Sequence, residues 1–221
     1  VTMYLARIWL NHRKREARGL LASPQAMHAA VLSSFPPMDA VARDDGARVL
    51  WRVDASPKPA LYIASPELPD VGHLKEQAGW DTPEGGAVRS YGPFLDSIVD
   101  GHRYAFRLTA NPTHAVKSTP DGSSKRMGHV TVAQQRRWLL DRMEGKGFAV
   151  AVTAQGEADV VVADRVVRSF RRGGRTVTLA TATFDGVLDV TDAKAFRRAL
   201  VAGIGPAKGY GCGLMTVVPV G

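Results

Sequence analysis

Along the chain, apolar residues recur at two spacings, and the changes from one to the other mark out the elements. Residues 3–10 are apolar and strand-like. A basic loop follows at Arg13-Lys14-Arg15. Ser23-Pro24 has the form of an N-cap and a first helical position, because proline fixes φ near its helical value and lacks only an N–H that the first turn leaves unbonded anyway. Met27, Val31 and Phe35, with Ala30 beside them, repeat at helical spacing, so one face of this helix is buried. Pro36-Pro37 should end it. Residues 47–54 and 61–64 read as two strands joined by the turn Ser56-Pro57-Lys58-Pro59. A weak helix at 71–78 and an extended segment at 87–95 complete an order of β-α-β-β-α-β.

The second half repeats that order without repeating the sequence. Residues 104–110 form a strand, and 131–144 form the clearest helix, with Trp138, Leu139 and Met143 apolar. Two β-rich stretches, 158–170 and 175–190, flank Gly173-Gly174. Thr191-Asp192 caps a helix containing Phe196, Ala199 and Leu200, and 214–218 closes the chain as a strand. Two successive split βαβ units predict an α+β protein of two tandem ferredoxin-like (βαββαβ, RRM-like) domains. They should span residues 1–100 and 101–221.

Composition narrows the partners. Hydrophobic residues make up 45% and charged residues 23% of the 221, enough for a packed core. Lys and Arg total 29 against 21 Asp and Glu, a formal charge of +8. That balance suits a polyanion such as nucleic acid. The single cysteine, Cys212, excludes an internal disulfide and a cysteine zinc site and fits a reducing, cytoplasmic setting. No apolar run is long enough to span a bilayer, so no membrane partner is expected. The first eight residues read as a strand rather than a signal peptide. His12, His73, His102, His114 and His129 show no metal-ligand spacing, and neither a metal nor another cofactor is expected.

The Gly173-Gly174 pair is a strong two-residue hairpin signal, because both central positions of such a turn need positive φ. The turn sets the register: Arg172 faces Arg175, Phe170 faces Val177 and Arg168 faces Leu179. Side chains alternate across a strand, so Arg168, Arg172 and Arg175 share one face and Arg171 points to the other. Like charges directly opposite each other are destabilising, and an anion between them would offset that cost. An arginine-rich ribbon tip can thus grip RNA phosphates. The same residues could also form a plain solvated hairpin. Lys125 and Arg126, in the loop before the second half's first helix, could add contacts.

A glycine-rich segment, residues 203–213, holds Gly205, Gly209 and Gly211 with Lys208 and Tyr210 among them. Exposed amides here could cradle a phosphate backbone, with Lys208 adding charge and Tyr210 a stacking face. There is no Gly-Lys-Ser/Thr, and helix–loop–strand is the wrong order for a P-loop. A helix C-cap joined to a tight turn would look the same.

Together, Met3-Tyr4-Leu5-Ala6-Arg7, the run from Tyr104 to Pro112, Lys125-Arg126, Phe184-Asp185-Gly186-Val187-Leu188 and the closing glycine segment through Leu214 resemble the CasE family. These are the endoribonucleases that process CRISPR repeat RNA in type I-E systems. The resemblance covers nearly the whole chain. It implies paired ferredoxin-like domains and metal-independent cutting at the base of a repeat stem-loop. It also implies retention of the crRNA product and assembly with other Cascade subunits. The family's histidine on the first helix falls at His28. The tyrosine that members often carry one turn earlier is Gln25 here.

The chemistry needs little from the protein. The RNA 2′-OH attacks the neighbouring phosphate, a proton must reach the 5′-oxygen, and the products are a 2′,3′-cyclic phosphate and a 5′-OH. A histidine can move that proton. Lys208, Arg168 or Arg172 are candidates to stabilise the phosphorane. A non-catalytic RNA stem-loop binding subunit is the alternative that Gln25 keeps open. A ferredoxin-like small-molecule sensor is a more distant one.

Overall fold

Strand β1 (Tyr4–Trp9) buries Ala6 and Ile8 on one face and leaves Arg7 exposed on the other, the outcome of period-two alternation beside a one-sided core. The computed structural model describes residues 2–36, 46–117, 124–143 and 145–220; the side chains at 84, 116, 117, 124–126, 172 and 175 lie outside that description. β1 pairs with β3 (Ala60–Ser65) and β4 (Gly86–Ser90), and β3 pairs with β2 (Leu50–Asp54), all antiparallel. The resulting order, β2-β3-β1-β4, is that of a split βαβ unit.

Among the described residues, three α-helices lie between this sheet's strands and a fourth follows them. Arg13 and Lys14 of the basic loop remain outside a helix, but Arg15 begins one that the sequence reading lacks, α1 (Arg15–Ala22). Its Ala17, Leu20 and Leu21, at helical spacing, reach the core shared with Met27 and Val31, and the arginines between them obscure that stripe in the sequence. The second helix, α2 (Pro24–Leu32), starts as predicted: the Ser23 hydroxyl accepts from the Ala26 amide at 3.2 Å. It stops at Leu32, before Pro36; Pro37 lies outside the described residues. Met27, Val31 and Phe35 are buried. The third, α3 (Gly72–Ala78), agrees with expectation. The extended segment at 87–95 is corrected: after β4 the chain forms a short helix, α4 (Gly92–Asp96). Pro93 sits in its first turn, where a missing N–H costs nothing.

The second sheet is built on β5 (Arg103–Ala110), which buries Tyr104, Phe106, Leu108 and Ala110. It lies between β10 (Arg175–Val190) and β11 (Met215–Pro219). Two strands share the far side of β10. β8 (Phe148–Val150) pairs with residues 188–190, and β9 (Val160–Arg172) pairs with residues 175–186. The second strand of the ferredoxin-like unit is thus split in two. Helices α5 (Val132–Met143) and α6 (Ala193–Ala202) pack through Trp138 and Phe196, which stand beside Phe184 and Phe148. The Asp192 carboxylate caps α6 by accepting from the Ala195 amide at 2.9 Å.

A further hairpin, β6 (Thr113–Lys117) with β7 (Ser124–Gly128), has no counterpart in the sequence reading. It moves Lys125 and Arg126 from a loop onto a strand. Its residues lack apolar alternation, so only backbone pairing reveals it.

One side chain pins the two sheets together. Arg52, 1% exposed, holds both Asp54 oxygens at 2.6 and 3.0 Å and donates to the carbonyls of Arg107 (2.8 Å) and Leu214 (3.0 Å) and to the Thr216 hydroxyl (2.9 Å). A buried charge is tolerated only when paired and hydrogen-bonded in this way.

Candidate functional site

His28 is half-buried on α2, beside the buried Met27. It is the second helix of the chain, not the first, that carries it. The Trp51 indole Nε1–H, from β2, donates to His28 Nδ1 at 3.4 Å. With Nδ1 accepting, the proton of a neutral imidazole resides on Nε2. That edge of the ring meets the glycine-rich segment, for a Cβ built on Gly209 would stand 3.4 Å from Nε2. A residue from the N-terminal half and a loop nearly two hundred residues later therefore form one site. Gln25 is exposed, one turn earlier on the same helix.

The glycines of that loop do different work. Gly205 (φ +82) lies against Trp138, and Gly211 (φ +79) against Trp51; a Cβ would come within 2.8 and 2.7 Å of the two rings. Both positions require positive φ and close approach. Their absent side chains seat the tryptophans, and Gly211 thereby seats the ring that holds His28. Lys208 Nζ donates to the Gly205 carbonyl at 2.7 Å. Burial, then the charges of Arg48 and Lys146, lower its pKa from the usual lysine value. Tyr210 meets Phe170 edge to face, ring centroids 5.0 Å apart, which joins the loop to the hairpin.

The hairpin has the expected register. Arg172 pairs with Arg175, Phe170 with Val177 and Arg168 with Leu179, and Gly173 and Gly174 have φ of +52° and +78°. Positions 168, 172 and 175 fall on one face and 171 on the other. The first face turns towards α2 and the glycine loop, as Phe170 and Leu179 show by their packing. Arg168 lines a cavity of about 310 Å³ there, together with Met27, Trp51 and Tyr210. Arg171 donates to the Gly174 carbonyl at 3.5 Å. The hairpin, the glycine loop and His28 are thus contiguous. Positions 125 and 126 lie on β7.

Sequence reading missed Trp51, which it placed only as a strand residue. Its role follows from a partner 23 positions away, and no local pattern marks that. It also left His114 and His129 as separate residues, whereas their rings lie 4.6 Å apart. Burial, then His114 and Arg142, lower the His129 pKa from its usual value. Among the described residues, no group of three or more His, Cys, Asp or Glu side chains is placed to hold a metal ion. None of their helices is long and apolar enough to cross a membrane.

The family model for CRISPR-associated proteins matches residues 3–219. The CRISPR-associated endoribonuclease Cse3 of Thermus thermophilus is 27% identical over 224 residues, covering 98% of this chain and all of that one. The Cascade subunit CasE of Escherichia coli K12 is 32% identical over 122 residues, 52% of this chain and 57% of that protein. Thermus thermophilus Cse3 bound to an RNA representing a pre-cleavage complex superposes with a TM-score of 0.80 at 29% identity, covering 99% of this chain and 100% of that one. Escherichia coli Cas6e shares the fold, with a TM-score of 0.68 at 22% identity over 98% of this chain and 100% of that one.

Proposed function

Since this chain belongs to the CRISPR-associated protein family that includes Cse3 and CasE, we propose that it is the endoribonuclease that cuts CRISPR repeat RNA at the base of a stem-loop and remains with the product as a Cascade subunit. The observation that carries this is the junction of three elements at His28: the Trp51 indole on Nδ1, the Gly209 backbone at Nε2, and the Arg168 cavity alongside. A cytoplasmic location goes with that role.

In the reaction, the 2′-OH attacks the adjacent phosphorus, the P–O5′ bond breaks, and the products carry a 2′,3′-cyclic phosphate and a 5′-OH. His28 exchanges the proton through Nε2, because Nδ1 is engaged with Trp51. Arg168 lines the neighbouring cavity, whose wall includes Trp51, and offers its guanidinium to the phosphorane, where charge builds up. Lys208 stands further from this role, with its ammonium turned to the Gly205 carbonyl. The hairpin arginines at 168, 171, 172 and 175, with Lys125 and Arg126, hold the stem by its phosphates. A-form RNA presents a major groove too narrow for side chains to read, so shape and backbone contacts dominate. The amides of Gly205, Gly209 and Gly211 and the ring of Tyr210 bound the base of the stem. The N-terminal domain, residues 1–100, supplies the histidine, and the C-terminal domain, 101–221, supplies the grip.

Incubation with the repeat hairpin in excess EDTA tests the reading. Product with a cyclic phosphate end, and none from RNA bearing a single 2′-deoxy nucleotide just 5′ of the cut, is the expected result. Cleavage that needs added magnesium overturns the mechanism. Tight binding without any product favours the non-catalytic alternative, for which the exposed Gln25 at the tyrosine position speaks.

A further inference from the structure

The cavity beside His28 has a second character that phosphate binding does not explain. Two of its wall residues are carboxylates, Asp54 and Asp164. Arg168, in the same wall, suits a phosphate, but a carboxylate does not. Asp54 is already satisfied, because Arg52 takes both of its oxygens. Asp164 is different. It stands in the bulge where the β9–β10 register shifts between Thr181 and Thr183, and its φ is +44°. Among the described residues, only Asp164 and Ala207 combine a side chain with positive φ; the second belongs to the glycine loop. A bulge re-aims the residue it carries, and strained backbone collects at functional sites.

Apart from Arg168 and a few hydroxyls, the rest of the wall is apolar and partly flat. Trp51, Met27, Leu179 and Tyr210 contribute rings and aliphatic surface. Three threonines add hydroxyls: Thr109 and Thr183 share a hydrogen bond of 2.8 Å, and Thr181 donates to the Val166 carbonyl at 3.3 Å. A mostly apolar cavity of about 310 Å³ with a few convergent polar groups is the form that small planar ligands occupy. On a protein whose ligand is RNA, that planar group is a base. Unpaired bases are read by stacking on aromatic side chains and by hydrogen bonds to their edges.

We infer that this cavity receives one unpaired nucleobase from the base of the stem, its N–H edge donating to the Asp164 carboxylate. The inference rests on the RNA-processing reading above and extends it to a specificity element. Turning a base into the cavity rotates the sugar and phosphate beside it. The cavity and His28 share Trp51, so a seated base sits against the ring that orients the histidine. The base would then set the in-line geometry of the 2′-OH as well as part of the sequence preference.

The test uses the full chain and an uncleavable 2′-deoxy repeat hairpin. 2-Aminopurine is placed in turn at the last paired nucleotide on the 3′ side of the stem and at each unpaired nucleotide that follows. At one position, emission falls on binding as the base stacks in the cavity. An abasic nucleotide there, or Asp164→Asn, weakens binding by about tenfold, the loss expected for a hydrogen bond to a charged group. The two losses do not add, since each removes the same contact. Asparagine also tolerates positive φ, so the bulge survives the substitution. The inference is overturned if emission is unchanged at every position while the parent RNA is bound and its 2′-hydroxyl form is cut. If one position responds and the 2′-hydroxyl RNA is never cut, the endoribonuclease reading fails and the cavity assignment stands. RNA that does not bind at all overturns both.

Discussion

In the N-terminal half the strands are five or six residues long. In the C-terminal half β9 and β10 run for 13 and 16 residues. β5 pairs with β10 only over residues 182–189, so the turn end of β10 continues as a two-stranded ribbon. The same strand order thus gives a plain sheet with a histidine on its helix layer in one half, and a sheet with an arginine ribbon and a glycine loop in the other. Neither half holds a complete site. On the proposed function, His28 depends on the Gly209 backbone from the other half, and the ribbon would hold RNA that only the histidine's half can cut. A duplicated fold can divide binding from chemistry in this way, because the junction between the units lies close to both.

The sharpest way to break this division is to remove the histidine. His28→Ala should lower single-turnover cleavage by about 10²- to 10⁴-fold, the usual contribution of general acid–base catalysis, with the dissociation constant for the hairpin unchanged. Persistent cleavage would move the chemistry out of the N-terminal half. Removing ribbon charge should do the opposite. Arg168→Ala, Arg172→Ala and Arg175→Ala should each lower the slope of log affinity against log salt by about one. Slopes that stay the same would make the ribbon a solvated hairpin after all.

Two glycines sharpen the junction itself. Gly211→Ala puts a Cβ 2.7 Å from Trp51 at a φ of +79°. A thermal-unfolding measurement should show about 1–3 kcal/mol lost, with slower cleavage because the ring that holds His28 moves. Gly209→Ala meets His28 Nε2 only at 3.4 Å, so it should leave stability nearly intact and change mainly the rate.

The smallest effect is expected at Cys212. Burial pushes its thiol from 9.0 up to about 12. The folded chain then keeps its proton where the unfolded chain loses it, so stability is full below pH 9 and declines between pH 9 and about 12. Iodoacetamide should leave native Cys212 unmodified at pH 8 and alkylate it in denaturant, as read by intact mass. Modification of the folded chain would place the loop's end at the surface instead.

Much of this could be read from the residues in order. The Ser23 cap, the Met27, Val31 and Phe35 stripe, the α6 cap at Asp192 and the tandem strand order are all local signals, and the structure has them. The misses share a cause as well. The helix α1 hides its apolar stripe among arginines, the β6–β7 hairpin has no alternation to detect, and β8 is three residues long. At the site, His28 and the ribbon arginines were visible as residue types, whereas Trp51 and Asp164 were not.

The sequence alone determined the ribbon register, because a two-residue turn and a side-chain period of two leave only one pairing in which Arg168 opposes Leu179. It also determined that one face of α2 is buried, and therefore that His28 stands at that face's edge. The tertiary structure decided which surface His28 meets. The Trp51 indole and the Gly209 backbone at His28, and the Arg52 pin between the sheets, join positions separated by 23 to 181 residues. Such contacts follow from how two separately patterned sheets dock, and docking depends on shape and paired charge that no local period encodes.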